Sequence, residues 1–275
     1  MGLRNFLRRR KIDKFRKKHK IGLCLSGGGT RGLAYIGVFK AFEEYGIKFD
    51  AVAGASIGSL FATMYASGMS TGEMHKWAMK AKDSDFRKSK LGFLPSKMDN
   101  LAEMINTILP DKKLEDLNIP CYVVAVDVRT GQEMHFKSGE IAPIITGSCA
   151  IPGVFHPVNY GNMVLVDGGV SNNIPVDVLK NNGCDIVITI DCNSTRGGGT
   201  NSNSLVTQFV TSVGIMMANN SKKGLKLSDL IISPDMKKFS SLKLEGKEEM
   251  IKEGYIATVN KIEEIKKVMS GRVKK

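Results

Sequence analysis

The sequence has no long uninterrupted hydrophobic run. No segment approaches the roughly 18 consecutive apolar residues of a membrane-spanning helix, and no apolar stretch of signal-peptide length follows the basic start. The chain opens Met1-Gly2, but Phe6 stands where an N-myristoylation pattern needs Ser or Thr. The sequence therefore predicts a cytoplasmic protein and leaves peripheral contact with the inner face of the membrane open.

Cysteine and aromatic residues are also sparse. Five cysteines occur and no two have CxxC spacing, which argues against a zinc or redox motif. An odd number of cysteines is typical of a reducing compartment. Aromatic residues make up 7% of the chain, and the basic ends contain only Phe6 and Phe15, so the sequence argues against nucleic acid as a partner.

Acidic residues are scarce at the two ends of the chain, where the positive charge is concentrated. Of a net charge of +13, residues 1–20 contribute +9 and residues 261–275 contribute +4, so residues 21–260 are close to neutral. We therefore predict a basic N-terminal arm, residues 1–20, and one folded domain, residues 21–275. The arm has no single apolar stripe, so it is either a solvated helix or a segment that adheres to anionic membranes through charge.

Short apolar segments alternate with helical periodicity along the domain. Strands are predicted at Ile21–Ser26, Ala51–Ala55, Cys121–Asp127, Glu133–Lys137, Met163–Val166, Ile186–Asp191 and 229–233. Helices are predicted at Gly32–Tyr45, Ile57–Ser67, 70–82, 97–109, Glu140–Ser148, Ile174–Asn181, 205–222 and from about 247. This alternation predicts a mainly parallel sheet covered on both faces. Residues 84–97 and 194–204 are candidates for a lid.

One serine stands in a GxSxG pentapeptide between a predicted strand and a predicted helix. The segment reads Gly54-Ala55-Ser56-Ile57-Gly58, and its context is the one that a nucleophile elbow requires. Gly54 and Gly58 let the backbone turn sharply and leave room for substrate, and the helix N-terminus favours negative charge that develops beside Ser56. Short Gly/Ser loops are common, so a simple turn is the alternative for this motif alone.

A second glycine-rich loop, Ser26-Gly27-Gly28-Gly29-Thr30-Arg31-Gly32, also joins a strand to a helix. The N–H groups of Gly27, Gly28 and Gly29 can face one oxygen with no side chain between them, as in an oxyanion hole. Arg31 can bind an anionic substrate or support the loop. The GxGxxG spacing also fits a dinucleotide-binding fingerprint, but that fingerprint needs an acidic residue about 20 positions later, where the elbow stands.

The general base for Ser56 is either a histidine or a carboxylate. The four histidines, His19, His75, His135 and His156, all precede Asp167, whereas a hydrolase triad places histidine last, so a histidine base has no sequence support. Val166-Asp167-Gly168-Gly169 ends an apolar strand with an acid and two glycines. An aspartate within about 3 Å of a serine hydroxyl can act as its base. An Asp-Gly pair is also a common turn, so this segment alone supports both interpretations.

Together these blocks resemble the patatin-like phospholipase family in its compact bacterial form. GGGTRG at 27–32 resembles the family's oxyanion block, GASIG at 54–58 its serine block and DGG at 167–169 its aspartate block. Ser148-Cys149-Ala150-Ile151-Pro152 resembles the S-x-A-I-P segment ahead of the aspartate, and the resemblance covers about residues 21–193. It implies a three-layer α/β/α fold, a Ser56–Asp167 dyad, oxyanion donors at Gly27, Gly28 and Gly29, and no metal or organic cofactor.

The resemblance also implies a function. It implies hydrolysis of fatty-acyl esters of lipids, as by a phospholipase A or lysophospholipase, through an acyl-Ser56 intermediate. An acyltransferase would use the same intermediate with an alcohol in place of water, and the sequence does not separate the two. The expected partners are a lipid substrate and, for residues 1–20, an anionic membrane surface. A nucleotide-binding protein would explain only the glycine loop and the charge.

Overall fold

The computed structural model describes residues 19–83, 98–193 and 205–271. The basic arm, apart from His19 and Lys20, lies outside the described residues, and so do both lid candidates. Within the described ranges, no helix combines the length and the apolar character needed to cross a bilayer. The domain boundary at residue 21 stays a prediction.

Eight strands of the described residues form one central sheet. They are β1 Ile21–Leu25, β2 Ala51–Ala55, β3 Cys121–Asp127, β4 Gln132–Phe136, β5 Val158–Tyr160, β6 Met163–Asp167, β7 Ile186–Ile190 and β8 Leu230–Ile232. The order is β5-β6-β3-β2-β1-β7-β8, with β4 also paired to β3. Strands β3, β2, β1, β7 and β8 are parallel, whereas β4, β5 and β6 join antiparallel. The predicted mainly parallel sheet is confirmed.

The helices lie close to their predicted positions. They are α1 Ala34–Glu44, α2 Ile57–Ala66, α3 Thr71–Lys80, α4 Asp99–Ile108, α5 Ile141–Ser148, α6 Val176–Asn181, α7 Leu205–Leu227 and α8 Lys247–Val268. The first helix was predicted from Gly32, but Gly29–Leu33 forms a tighter 3-10 turn, and α1 begins only at Ala34. Helix α7 continues five residues beyond its predicted end at 222.

The sheet separates two hydrophobic cores, which gives the predicted three layers. Alternate residues of each strand point to opposite faces, so Leu23 and Leu25 join one core and Cys24 joins the other. Helices α1, α2, α3, α4, α5 and α8 contribute to the first core, and α6 contributes to the second. Every residue of β1, β2 and β3 is buried because both faces of the sheet are covered.

The last helix crosses the first one at two glycines. A Cβ added to Gly37 of α1 would lie 1.8 Å from the carbonyl oxygen of Ile251, and one added to Gly254 of α8 would lie 1.9 Å from that of Ala34. The two helix backbones are therefore in direct contact. Helix α1 begins two residues after the glycine loop. By packing against α1, helix α8 therefore also supports that loop.

Candidate active site

Strand β3 brings the two candidate catalytic residues together. Strand β4 covers one edge of β3 over its last five residues, so β2 and β6 must share the other edge. Strand β2 runs parallel to β3 and ends with Ala55 opposite Val124. Strand β6 runs antiparallel and ends with Asp167 opposite Ala125. The carboxyl ends of β2 and β6 therefore meet head to head on this edge of β3. Ser56, the residue after Ala55, lies beside Asp167.

The backbone at Ser56 makes the sharp turn that the GxSxG motif predicts. Ser56 has φ 53° and ψ −133°, and α2 begins at the next residue. A positive φ is uncommon for a residue with a side chain and persists only when the surroundings hold it. A Cβ on Gly54 would lie 2.3 Å from the carbonyl of Gly58, and one on Gly58 would lie 2.3 Å from that of Leu25. Neither glycine leaves room for a side chain.

Two serine hydroxyls hold the strained backbone of Ser56. Its N–H donates to Ser148 Oγ at 3.0 Å, and the Ser148 hydroxyl donates to the carbonyl of Val124 at 2.6 Å. Its carbonyl accepts from the hydroxyl of Ser59 at 2.6 Å and from the Ser59 N–H at 2.8 Å. Ser148 therefore joins the elbow to β3 at the point where the pairing of β2 ends.

Asp167 is fully buried, and one of its carboxylate oxygens is available. Oδ1 accepts the N–H of Gly169 at 2.8 Å, whereas Oδ2 has no hydrogen-bond partner within the described residues. Burial raises the pKa of Asp167 to about 7, and the Ser56 hydroxyl and the Gly169 amide, which favour the ionised form, lower it in part. The Ser56 hydroxyl is thus near enough to influence the carboxylate, although Oδ2 makes no hydrogen bond of normal geometry to it.

The glycine loop presents two of its three predicted donors. The N–H of Gly27 donates to the carbonyl of Asn173 at 3.1 Å, so it is not available to a substrate. In the described part of the chain, the N–H groups of Gly28 and Gly29 donate no recorded hydrogen bond. The prediction of three oxyanion donors is therefore wrong for Gly27 in this conformation. The prediction failed because the Gly27 N–H bonds to Asn173, a residue that is remote in sequence and that no local pattern indicates.

Arg31 supports the loop. Its side chain is buried, and its Nε donates to the carbonyl of Phe239 at 3.0 Å. The neighbouring Thr30 donates its hydroxyl to Ser240 at 2.8 Å and its N–H to Ser241 at 3.1 Å, in both cases to the backbone carbonyl. Of the two predicted roles for Arg31, the geometry favours loop support over contact with an anionic substrate.

An open, mainly apolar groove borders Ser56. Its wall combines the glycine loop with residues of the first core, including Leu33, Trp77, Met98, Leu101, Ile151 and Phe155. Ser56 is 3% exposed, so only a substrate that enters this groove can reach it.

Three of the four histidines pair with carboxylates other than Asp167, and His19 lies 3.7 Å from Asp185. His75 bonds to Glu248 at 2.9 Å and His135 to Glu133 at 2.6 Å, and His156 is exposed. Over the described ranges, no group of three or more His, Cys, Asp or Glu side chains could hold a metal ion.

Sequence reasoning missed three residues that shape the site. Ser148 was noticed only as part of a motif, without a role. Asn173 and Asn193, which contact Gly27 through a backbone carbonyl and a side-chain amide, carried no signal at all. Each acts on a segment far away in the chain, so no local pattern marks it.

The three-layer fold and the strained serine between β2 and α2 define an α/β protein with nucleophile-elbow geometry. A model of the "Patatin-like phospholipase" family matches residues 23–180, more than half of the chain. The chain belongs to the patatin-like phospholipase family.

Relatives from several organisms share this segment. Mouse patatin-like phospholipase domain-containing protein 6 is 31% identical over an alignment of 188 residues that covers 63% of this chain and 14% of that protein. The fruit-fly neuropathy target esterase sws is 32% identical over 185 residues, with 64% and 13% coverage. An uncharacterised NTE family protein of Mycobacterium bovis is 29% identical over 185 residues, with 65% and 51% coverage. The chain thus spans about half or less of the length of these relatives.

Solved structures share the fold. VipD from Legionella pneumophila superposes with a TM-score of 0.59 and 17% identity, covering 90% of this chain and 67% of that one. Human GIVD cytosolic phospholipase A2 superposes with a TM-score of 0.52 and 10% identity, covering 98% and 64%. At these identities the likeness concerns the fold alone.

Proposed function

We propose that this chain hydrolyses fatty-acyl esters of lipids, with Ser56 as the nucleophile and Asp167 as its base. The observation that carries the proposal is the head-to-head meeting of β2 and β6 on one edge of β3, which puts a strained serine beside a buried carboxylate. The family and the names of its phospholipase and esterase relatives support a lipid ester as the substrate.

The first half-reaction forms an acyl-enzyme. Asp167 Oδ2 accepts the proton of the Ser56 hydroxyl while Oγ attacks the acyl carbonyl carbon. The carbonyl oxygen becomes an oxyanion, which the N–H groups of Gly28 and Gly29 stabilise. The carbon–oxygen bond to the alcohol breaks, and the proton on Asp167 passes to the leaving alkoxide, so Asp167 is ionised again.

The second half-reaction releases the fatty acid. Asp167 accepts a proton from water, and the hydroxide attacks the acyl-Ser56 carbonyl through the same oxyanion position. Ser56 leaves and recovers its proton from Asp167. An acyltransferase would differ only at this stage, because an alcohol would take the place of water.

The apolar groove provides the binding energy for an acyl chain. Burying apolar surface contributes about 25 cal/mol per Å², so a hydrocarbon chain lying along Trp77, Leu101 and Phe155 would be held without polar contacts. The elbow borders this groove, so the ester of a chain bound there would lie beside Ser56.

The basic arm is proposed to hold the protein at an anionic membrane. Residues 1–20 carry a net charge of +9 while residues 21–260 are near neutral. Each Lys or Arg close to an anionic leaflet contributes about 1 kcal/mol of binding. A few of the ten basic residues of the arm would therefore be enough to decide whether the protein stays on the surface.

The proposal is tested by fatty acid release from phospholipids, lysophospholipids and neutral esters. Ser56→Ala and Asp167→Asn should each abolish most activity, and the double variant should be little worse, because the two residues act as one unit. Ser67→Ala and Asp235→Asn are matched controls, since the side chain of Ser67 bonds to Met64 and that of Asp235 to Lys237, both of which are near neighbours in the chain. Near-normal turnover by Asp167→Asn would remove the dyad. An added alcohol that captured the acyl group in preference to water would favour an acyltransferase.

A further inference from the structure

The peptide between Gly27 and Gly28 is held from outside the glycine loop. The carbonyl of Gly27 accepts a hydrogen bond from the side-chain amide of Asn193, in the segment that follows β7. On the preceding peptide, the N–H of Gly27 donates to the carbonyl of Asn173. The backbone of Gly27 is thus engaged on both of its polar groups, and glycine without such contacts would rotate freely.

The orientation of this peptide determines where the Gly28 N–H points. In a trans peptide the C=O of one residue and the N–H of the next lie in one plane and point in opposite directions. No cis peptide occurs among the described residues. Because the Gly27 carbonyl faces Asn193, the Gly28 N–H faces away from it.

Ser56 lies against the same glycine, since a Cβ on Gly27 would be 3.1 Å from Ser56 Cβ. The side of Gly28 near Asn193 is occupied, as a Cβ on Gly28 would lie 3.6 Å from both terminal atoms of the Asn193 amide. The Gly28 N–H donates no hydrogen bond to another residue in the described part of the chain, so it is the one polar group of this peptide left for a substrate.

Asn193 is itself held by the carboxyl end of β7. Its N–H donates to Asp191 Oδ1 at 2.9 Å, and the N–H of Cys192 donates to Ser26 Oγ at 3.0 Å. Ser26 in turn donates its N–H to the carbonyl of Ile190 at 3.1 Å. The Asn193 amide is therefore attached to the sheet and can impose an orientation on the loop.

We propose that Asn193 is a positioning residue for the oxyanion hole: its side-chain amide holds the Gly27 carbonyl and so directs the Gly28 N–H toward the oxygen of the reacting ester. The inference rests on the proposed function. Asn193 touches neither substrate nor the reacting atoms in this account. Its effect on the reaction passes through one peptide plane.

The test compares the kinetics of Asn193→Ala and Asn193→Asp with wild type on a soluble fatty-acyl ester. Misplacing a catalytic group by about 1 Å can cost about a hundredfold in rate, so kcat is expected to fall by about that factor while KM stays nearly unchanged. The Asp variant is almost isosteric but places an oxygen opposite the Gly27 carbonyl, so its loss should be at least as large. Asn118→Ala, which removes a similar asparagine-to-carbonyl bond to Ser67, should keep wild-type kinetics.

A transition-state mimic separates positioning from general damage. A fatty trifluoromethyl ketone adds to Ser56 and places an oxyanion in the hole, so its affinity should fall in the Asn193 variants by a factor similar to that for kcat/KM. The affinity for the corresponding fatty alcohol, which forms no oxyanion, should be retained. Equal losses for both compounds, or wild-type kcat in both variants, would overturn the inference.

A final measurement does not depend on turnover. Hydrogen exchange of the Gly27 amide, which donates to the Asn173 carbonyl, should be faster in Asn193→Ala than in wild type or Asn118→Ala, because Gly27 is then held through only one of its two polar groups. Unchanged exchange would overturn the proposed orientation even if the wild-type chain hydrolysed no ester. Inactivity of the wild type with accelerated exchange in the variant would instead reject the proposed function and keep the positioning role.

Discussion

Asp167 combines two properties at the residue scale, complete burial and one free carboxylate oxygen. A base works best when its pKa is near the working pH, and burial raises the pKa of Asp167 to about 7. In the proposed mechanism, the ionised form of Asp167 accepts the Ser56 proton. We therefore expect kcat on a soluble ester to rise close to tenfold per pH unit below pH about 7 and to level off above it. A rate that does not change between pH 5 and pH 8 would contradict this assignment.

The same burial makes Asp167 costly for stability. Its native pKa is about 7, above the ordinary value of 3.8, so the folded state binds the proton more tightly than the unfolded state. Stability from this group is therefore fully present at low pH and declines as pH rises from about 4 to about 7. Asp167→Asn cannot ionise, so at pH 8 it should be more stable than wild type, by on the order of a few kcal/mol.

The stability prediction is checked by urea unfolding of both proteins at pH 5 and pH 8. The advantage of Asp167→Asn should grow with pH, because only the wild type loses stability over this interval. An advantage that shrank with rising pH would mean that the carboxylate is stabilised in the fold.

Ser148 is predicted to position the nucleophile. Its replacement by alanine leaves two buried groups, the Ser56 N–H and the Val124 carbonyl, without their partner. Each unsatisfied buried group costs about 1–3 kcal/mol, and the elbow loses its tie to β3. Ser148→Ala should lower both the free energy of unfolding and kcat, and Ser148→Thr, which keeps the hydroxyl, should recover part of kcat. If Ser148→Thr were as slow as Ser148→Ala, the hydroxyl would not position Ser56, and the loss of rate would come from packing alone.

At the scale of elements, the crossing of α1 and α8 depends on backbone contact. Gly254→Ala would force a methyl group to within 1.9 Å of the Ala34 carbonyl, so the helices must separate. Overpacking of this kind costs about 1–3 kcal/mol. Gly72 on α3 has nothing within 4 Å of an added Cβ, so Gly72→Ala should stabilise by about 0.4–1 kcal/mol. Urea unfolding of the two variants measures the difference, and equal effects would contradict this packing.

Local sequence patterns predicted most elements because each has its own periodicity. The ends of β2 and β3 were predicted to the residue, and α2 and α5 to within one residue. Strand β5, Val158–Tyr160, was not predicted. It has three residues, none of them buried, which are too few to show an alternating pattern. It pairs with β6 at the edge of the sheet, and this pairing holds it extended.

The uneven charge is a property of the whole molecule. The basic arm precedes a nearly neutral body, so attraction to anionic lipid should depend on the arm and be screened by salt within about 10 Å. Removing residues 1–18 deletes most of the arm and leaves the sequence of the folded domain, residues 21–275, unchanged. We expect weaker binding to anionic vesicles and slower hydrolysis of them, with hydrolysis of a soluble ester almost unchanged. High salt should have the same effect on the full chain.

Two controls complete the test of the arm. Neutral vesicles should show little difference between the full and truncated proteins, because no surface charge attracts the arm. Equal binding of the two proteins to anionic vesicles at low salt would mean that the arm is a solvated tail.

The sequence by itself determined seven of the eight described strands, the approximate bounds of the helices and the two glycine-rich turns, because these depend on residues that are neighbours in the chain. It also indicated Ser56 and Asp167, through motifs that a few adjacent residues define. Only the tertiary structure decided that the two meet, since this requires β2 and β6 to share one edge of β3. It also decided that Gly27 is engaged by Asn173 and Asn193. A backbone group bonds to whatever the fold brings within reach, and strand pairing sets that choice across more than a hundred residues of chain.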